Sequence, residues 1–398
     1  MYYISHSNPH RSFPRLHTRK IPVITAVSRH PSPRPMDSLS PLETSSTDCC
    51  RIYVAFCAKY PNGKMCNFIE CYYTSNNSWH RVTSIPGLDE NQVLKDFAMV
   101  SLGDYIYIIG GRLCLKVLDP ETDNVKEIDL RLLPWVRRYN VRTDKWEVCA
   151  PLSIPRFDFA CTVCDRKIYV AGGQNVLGRA KGISSAEFYD PALDEWKSLA
   201  NMSTMRYKCV GVTWQEKIHV VGGFAHKGNV DRIQGPYTMT RSSAEIYDPQ
   251  RDKWDFITRM WELDVPPYQI VAVNGKLYSS GDCFKPWKGH IEAYDEKQNI
   301  WNEVGGSNLN CLSQNSNPDV KEPDWPSMQM LYFTMAPVGN RLYFMAGYRT
   351  PRDASRMRSE VHVFDTSANG DGWRTFEPIV EESEKELCAR CCVLKQGS

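Results

Sequence analysis

An all-β fold of repeated four-stranded sheets is predicted by three periodic features of this 398-residue sequence. An apolar strand ending in paired glycines recurs as Ile106-Tyr107-Ile108-Ile109-Gly110-Gly111, Ile168-Tyr169-Val170-Ala171-Gly172-Gly173 and Ile218-His219-Val220-Val221-Gly222-Gly223. An aromatic residue then precedes a tryptophan: Tyr72, Tyr139, Tyr189, Tyr247 and Tyr294 each stand seven positions before Trp79, Trp146, Trp196, Trp254 and Trp301. Between the two lies a turn rich in Asp and Asn. A four-stranded sheet cannot bury two faces alone, so copies must stack, and six copies at a period of roughly 50 to 65 residues predict a six-bladed β-propeller.

Residues 157–196 show the unit most clearly. A β-branched and apolar run at 157–163 reads as a first strand, a polar turn follows at 165–167, and 168–171 is the second strand. Gly172-Gly173 marks a crowded strand end where a Cβ would be in the way. After a polar loop, 186–189 is the third strand. Asp190-Pro191 opens a turn, because Asp can accept hydrogen bonds from the backbone ahead and Pro presets its φ. Trp196 belongs to the fourth strand, where its ring can fill the gap between neighbouring sheets.

The double glycine, the Tyr-Asp-Pro turn and the spaced Trp resemble the kelch repeat, and the wording of the repeats is most similar to plant kelch-repeat proteins, including those with an F-box. The resemblance runs from about residue 51 to the C-terminus. It is weaker where Phe56-Cys57, Ser280-Gly281 and Ala346-Gly347 replace the double glycine. It implies a kelch-type propeller whose loops bind another protein, with association to ubiquitin-dependent turnover.

In chain order, residues 1–48 carry Arg11, Arg15, Arg19, Lys20, Arg29 and Arg34 with no acid before Asp37, and are rich in Ser, Pro and His. They read as a disordered tail, either a transit-peptide-like segment or an extension ahead of a start at Met36. No amphipathic helical period is seen there, so an F-box is not visible. The propeller is expected to occupy 49–398. Blade one supplies only three strands from its own segment, at 52–56, 68–73 and 79–82. Its missing innermost strand is expected from 388–394, pairing the C-terminus into the first blade to close the ring and remove open edges. Blade two, 97–146, carries an insertion at 113–135 with the pattern of an extra hairpin. Blades three and four end near 199 and 257, the latter with a long loop at 224–241. Blade five spans 268–304 and is followed by a polar stretch at 305–327, and blade six covers 328–376.

A formal charge of +2 conceals a two-sided pattern. Loops between second and third strands emerge on one end of every sheet and are basic, and the loops from fourth to first strand share that end. Arg112, Arg156, Arg179, Arg206, Arg232, Arg349, Arg352 and Arg356 are therefore expected to form a partner-binding rim, suited to an acidic or phosphorylated segment. Glu381, Glu382, Glu384 and Glu386 are expected on the same side, where they would partly neutralise it. The opposite end carries Asp190, Asp194, Asp248, Asp252, Asp295 and Asp365.

The primary expectation is a non-enzymatic scaffold that binds a partner polypeptide, an adaptor in protein turnover, with no cofactor and no metal. The alternative is a kelch-propeller enzyme, a metal-dependent oxidase or specifier-type protein. Against it, no HExxH, GxSxG or P-loop pattern occurs. His219 and His362 alternate with apolar neighbours as blade residues do, and Cys161-x-x-Cys164 falls in a strand, where residues three apart point to opposite faces. Nucleic-acid binding is disfavoured by a sequence pI near 7.8, below the ~9 of dedicated binders. Fifteen scattered cysteines and no long apolar run point to a soluble chain in a reducing compartment. The expected location is cytoplasmic or nuclear, or an organelle if the tail is a transit peptide.

Overall fold

The computed structural model describes residues 50–59, 65–118, 125–226, 238–309, 329–350, 353–368, 372–381 and 383–395. They are almost entirely β-structure, with one four-residue helix at Thr238–Arg241. Six antiparallel sheets of four or five strands follow one another along the chain. Sheet 1 contains Cys50–Lys59, Met65–Tyr73 and Ser78–Ser84, and sheet 2 contains Ala98–Leu102, Tyr105–Ile109, Val136–Asn140 and Lys145–Cys149. Sheet 3 is Ala160–Cys164, Lys167–Ala171, Ala186–Asp190 and Glu195–Ser198. Sheet 4 is Val210–Trp214, Lys217–Val221, Ala244–Asp248 and Lys253–Ile257. Sheet 5 is Ile270–Val273, Lys276–Ser279, Glu292–Asp295 and Ile300–Glu303. Sheet 6 is Met330–Val338, Arg341–Thr350, Asp353–Asp365 and Trp373–Thr375, with Ile379–Glu381 also pairing its third strand. Sheets stacked in this way are the architecture of a β-propeller.

Each sheet is apolar on both faces because each is covered twice. In Lys167–Ala171, Ile168 and Val170 pack with Tyr107, Ile109 and Val136 of sheet 2, whereas Tyr169 and Ala171 pack with Ile218, Val220 and Tyr247 of sheet 4. Period-two alternation therefore feeds two hydrophobic layers from one strand. Comparable layers join sheets 1 and 2, 4 and 5, and 5 and 6. A further layer joins sheet 6 to sheet 1, through Tyr332, Met345 and Val361 against Ile52, Val54, Phe56 and Tyr72.

The C-terminal residues form two short strands, where the sequence suggested one continuous strand. Lys385–Leu387 pairs with the 56–58 end of Cys50–Lys59, and Cys392–Lys395 pairs with its 50–53 end. Cys392–Lys395 lies beside the first strands of sheets 2 and 6. The insertion in sheet 2 is a hairpin, Arg112–Leu118 with Val125–Leu132, extended by Gln92–Lys95 into a three-stranded sheet. Asn67 anchors it to sheet 1: its side-chain amide donates to Leu94 O at 2.9 Å and its Oδ1 accepts from Leu94 N at 2.7 Å. The expected tail, residues 227–237 of the loop expected at 224–241 and residues 310–327 of the stretch expected at 305–327 lie outside the described residues.

The Tyr-to-Trp spacing has a local cause. Tyr72, Tyr139, Tyr189, Tyr247 and Tyr294 sit directly across from Trp79, Trp146, Trp196, Trp254 and Trp301 on adjacent strands. Their ring centroids are 5.2–5.4 Å apart, a favourable aromatic cross-strand pair. Each tyrosine hydroxyl also meets the side chain of Asn77, Asp144, Asp194, Asp252 or Asn299, at 2.5–2.9 Å. Those five residues all have left-handed φ, between 49° and 55°, a conformation Asn and Asp tolerate best among side-chain-bearing residues. The indole then ties the unit to the chain before it: Trp196 Nε1 donates to Ala150 O at 2.9 Å, Trp254 Nε1 to Ala200 O and Trp301 Nε1 to Met260 O, both at 2.7 Å.

Candidate functional site

One end of the sheets gathers the second-to-third and fourth-to-first loops. Phe157 bridges Gln174, Pro267 bridges Asp282, and Met205–Tyr207 pairs with Phe224–His226. Each contact joins the residues ahead of a first strand to those just after a second strand. In sheets 3 and 4 the double glycines make this possible. Gly172 and Gly173 have φ of 68° and 92°, and a Cβ on them would lie 2.7 Å from Arg206 O and from Phe157 O respectively. Gly173 N instead donates to Arg206 O of the next repeat at 2.8 Å.

The same crowding determines the fate of two residues expected on the rim. Arg156 and Arg206 are 1% and 0% exposed, so they are unavailable to a partner, and their assignment as contact residues is corrected. The Arg156 guanidinium donates to Gly172 O at 3.0 Å, Ser185 O at 2.9 Å, Ser185 Oγ at 3.1 Å and Glu187 Oε1 at 3.0 Å. Arg206 repeats the arrangement on Gly222 O at 3.0 Å, Ser243 O at 3.1 Å, Ser243 Oγ at 2.7 Å and Glu245 Oε1 at 3.3 Å. Each glutamate also accepts a backbone N–H from the preceding loop, Ser153 in one case and Ser203 and Thr204 in the other. Buried charges persist only when paired and hydrogen-bonded. These arginines are structural clasps that hold loop, strand end and glycine together.

The other expected residues divide. Arg112 is engaged by Asp96, Glu127 and Asp129, and the neighbouring Lys95 and Lys116 both pair with Glu127 and Glu386. Arg349 forms a two-pronged pair with Glu384 and a 2.9 Å bond to Gln329. Arg356 is exposed, and Arg232 and Arg352 lie outside the described residues. Arg179 is exposed and, among the described residues, has no ion pair. With Lys181 it borders a cavity of about 450 Å³ that also touches Ile154, Val176, Asn201 and Met205 and has no acidic side chain in its lining. Val176 is half exposed there, and Phe284, 78% exposed, crowns the corresponding turn of sheet 5. Sequence reasoning missed the carboxylates of the insertion, Glu127 and Asp129. They alternate with Ile128 along a strand, which shows only once the hairpin register is known.

Cys114, Glu127 and Asp129 place potential ligand atoms within 4.8 Å of one another. Arg112, Lys95 and Lys116 already satisfy those carboxylates, and burial pushes the Cys114 thiol well above its ordinary range. The donor set suits a salt-bridge network better than a cation. His219 is buried and desolvation lowers it to about 4, and buried His362 contacts Glu360 and Thr375. Neither faces the loop-end cavities.

Sheets of this repeating kind, clasped by glycine pairs and aromatic cross-strand pairs, are what kelch repeats build. A kelch motif is matched at residues 155–203, the segment carrying Arg156, Gly172, Glu187, Tyr189 and Trp196. The chain is 27% identical to an F-box/kelch-repeat protein of Arabidopsis thaliana over 69% of its own length and 65% of the relative's. A second such Arabidopsis protein is 30% identical over 54% of this chain and 48% of the relative. Kelch-like protein 36 of Mus musculus is 24% identical over 75% and 42%. The chain carries a kelch motif and is similar to plant F-box/kelch-repeat proteins, and the matches span less than two thirds of these relatives' own lengths.

Proposed function

We propose that this chain is a non-enzymatic protein-interaction module: a six-bladed kelch propeller, closed into a ring by its C-terminal strands, that grips a partner polypeptide on its loop end. Closure is supported by the hydrophobic layer between sheets 6 and 1. It is also supported by one cavity whose lining draws residues from the first strands of sheets 2 to 6 and from 390–393. The binding reading is carried by the groove beside Arg179 and Lys181, which bears two cations, apolar walls and no carboxylate. Such a groove suits a partner segment with acidic or phosphorylated residues beside an apolar one. Among the described residues, most other cations of the loop end are already spent on internal carboxylates, so the contact surface is narrower than a continuous basic rim.

Relatives named for F-box and BTB domains alongside kelch repeats support a place for this module as an adaptor in ubiquitin-dependent turnover, in the cytoplasm or nucleus. The test is capture of partners from cell extract with the wild-type chain and with Arg179→Glu/Lys181→Glu. Loss of a defined set of proteins with the folded variant is the expected result. Recovery of the same set would reject the groove as the contact surface.

A further inference from the structure

A second cavity, of about 290 Å³, opens at the loop end and is lined by Asp96, Asp158, Lys208, Tyr268 and Arg390 beside apolar and thiol side chains. The first four precede or begin the run into the first strands of sheets 2 to 5, and Arg390 lies between the two C-terminal strands. Residues from five different parts of the chain thus converge on one space. Arg390 also borders the deeper cavity of about 340 Å³, in whose lining it is the one charged side chain. Its guanidinium has no hydrogen-bond or ion-pair partner among the described residues, and neither does the Lys208 ammonium. A half-buried guanidinium without an acceptor contrasts with Arg156 and Arg206, which are paired with Glu187 and Glu245.

The charge balance narrows the ligand. Asp96 is taken by Arg112, which leaves Arg390 and Lys208 facing the single carboxyl of Asp158. Asp158 receives only a long contact from Gln174, at 3.4 Å. We propose that this cavity is a binding site for a small free carboxylate, held by Arg390 and Lys208 and sharing a proton with the Asp158 carboxyl. Two carboxyl groups in one site hold a single proton between them, one donating to the other. A phosphate dianion would instead set a second negative charge against Asp158. Phe97, Met99 and Phe159 supply apolar wall for a short aliphatic stem.

Burial, and then the charge of Asp96, already raise Asp158 to about 6, against the lowering influence of Lys208, Arg112 and Arg390. Tyr207 and the Cys283 thiol are the other titratable groups that feel its charge. A bound anion raises the Asp158 carboxyl further, so binding takes up a proton. Affinity is then greatest at about pH 5 to 6, between the ordinary range of the ligand carboxyl and the value of Asp158, and falls as pH rises above it.

The test uses the chain alone, so it stands or fails independently of any partner at the groove. Butyrate binding is followed by ligand-observed NMR at pH 5.5 and 7.5, with inorganic phosphate as the comparison. Butyrate is expected to bind roughly 20-fold more weakly at pH 7.5 than at pH 5.5, as a carboxyl titrating near 6 requires. Asp158→Asn should bind with less than about a twofold pH dependence. Arg390→Gln should abolish binding. Lys208→Gln, at an exposed side chain that leaves the fold intact, should weaken binding several-fold even if Arg390→Gln does not fold. No binding at pH 5.5, pH-independent binding by the wild type, tighter binding of phosphate, or unchanged affinity in Lys208→Gln would each overturn the proposal.

Discussion

Arg206 offers the sharpest test of the reassignment of conspicuous arginines from surface to interior. In Arg206→Met the Glu245 carboxylate, 1% exposed in the native chain, keeps only its bonds from Ser203 N and Thr204 N. The Gly222 and Ser243 carbonyls lose a donor each. Removing one partner of a buried pair costs about 3–5 kcal/mol, because the other charge stays buried. The orphaned carbonyls, at about 1–3 kcal/mol each when unsatisfied, fall largely within that figure because water can enter the opened site. Urea denaturation followed by tryptophan fluorescence should place the variant at least about 3 kcal/mol below wild type. Arg179→Met, at an exposed residue, should stay within about 0.5 kcal/mol. Removing both charges in Arg206→Met/Glu245→Leu should recover part of the loss, since the uncompensated carboxylate goes with its partner. If Arg206→Met were as stable as wild type but lost a binding partner, the clasp interpretation would be refuted.

Other consequences follow from the same geometry. Truncation before Lys385 removes both strands that cover the edge of Cys50–Lys59 and should lower the melting temperature markedly; a truncated chain that melts with the full one would reject their closing role. Tyr189→Phe deletes the 2.5 Å bond to Asp194 and should cost about 1–2 kcal/mol in denaturant titration. For Asp158 the sign is opposite to that of a salt-bridged carboxylate. Its folded-state value of about 6 lies above the ordinary 3.8, so the folded chain binds more protons and stability declines as pH rises from about 4 to 6. Asp158→Asn should remove that slope and stabilise the protein at pH 7 by about 1–2 kcal/mol, the partial exposure of the group reducing the full effect.

The repeat was legible because its signals are local. Tyr189, Asp194 and Trp196 act within one hairpin, and Gly172-Gly173 announces a backbone approach that no larger residue permits. The individual sheets and the hairpin within 113–135 were accordingly foreseeable. Residue type could not distinguish Arg156 from Arg179. Both stand in loops of the same end, and their difference is made by Glu187, thirty-one residues beyond Arg156, which the fold brings beneath one and not the other. The neutralisation of Lys95 and Lys116 by Glu386 likewise depends on a contact between opposite ends of the chain. The break between the two C-terminal strands was hidden because CARCCVL is uniformly strand-like, whereas Arg390 turns out to border the cavities.

The most direct test of the central claim is quantitative partner capture with the wild-type chain, Arg179→Glu/Lys181→Glu, and a control reversing Lys297 on the opposite end, all matched for folding by circular dichroism. The account predicts that one set of proteins is depleted with the groove variant and retained with the control. Equal recovery with all three proteins would contradict binding through the loop-end groove.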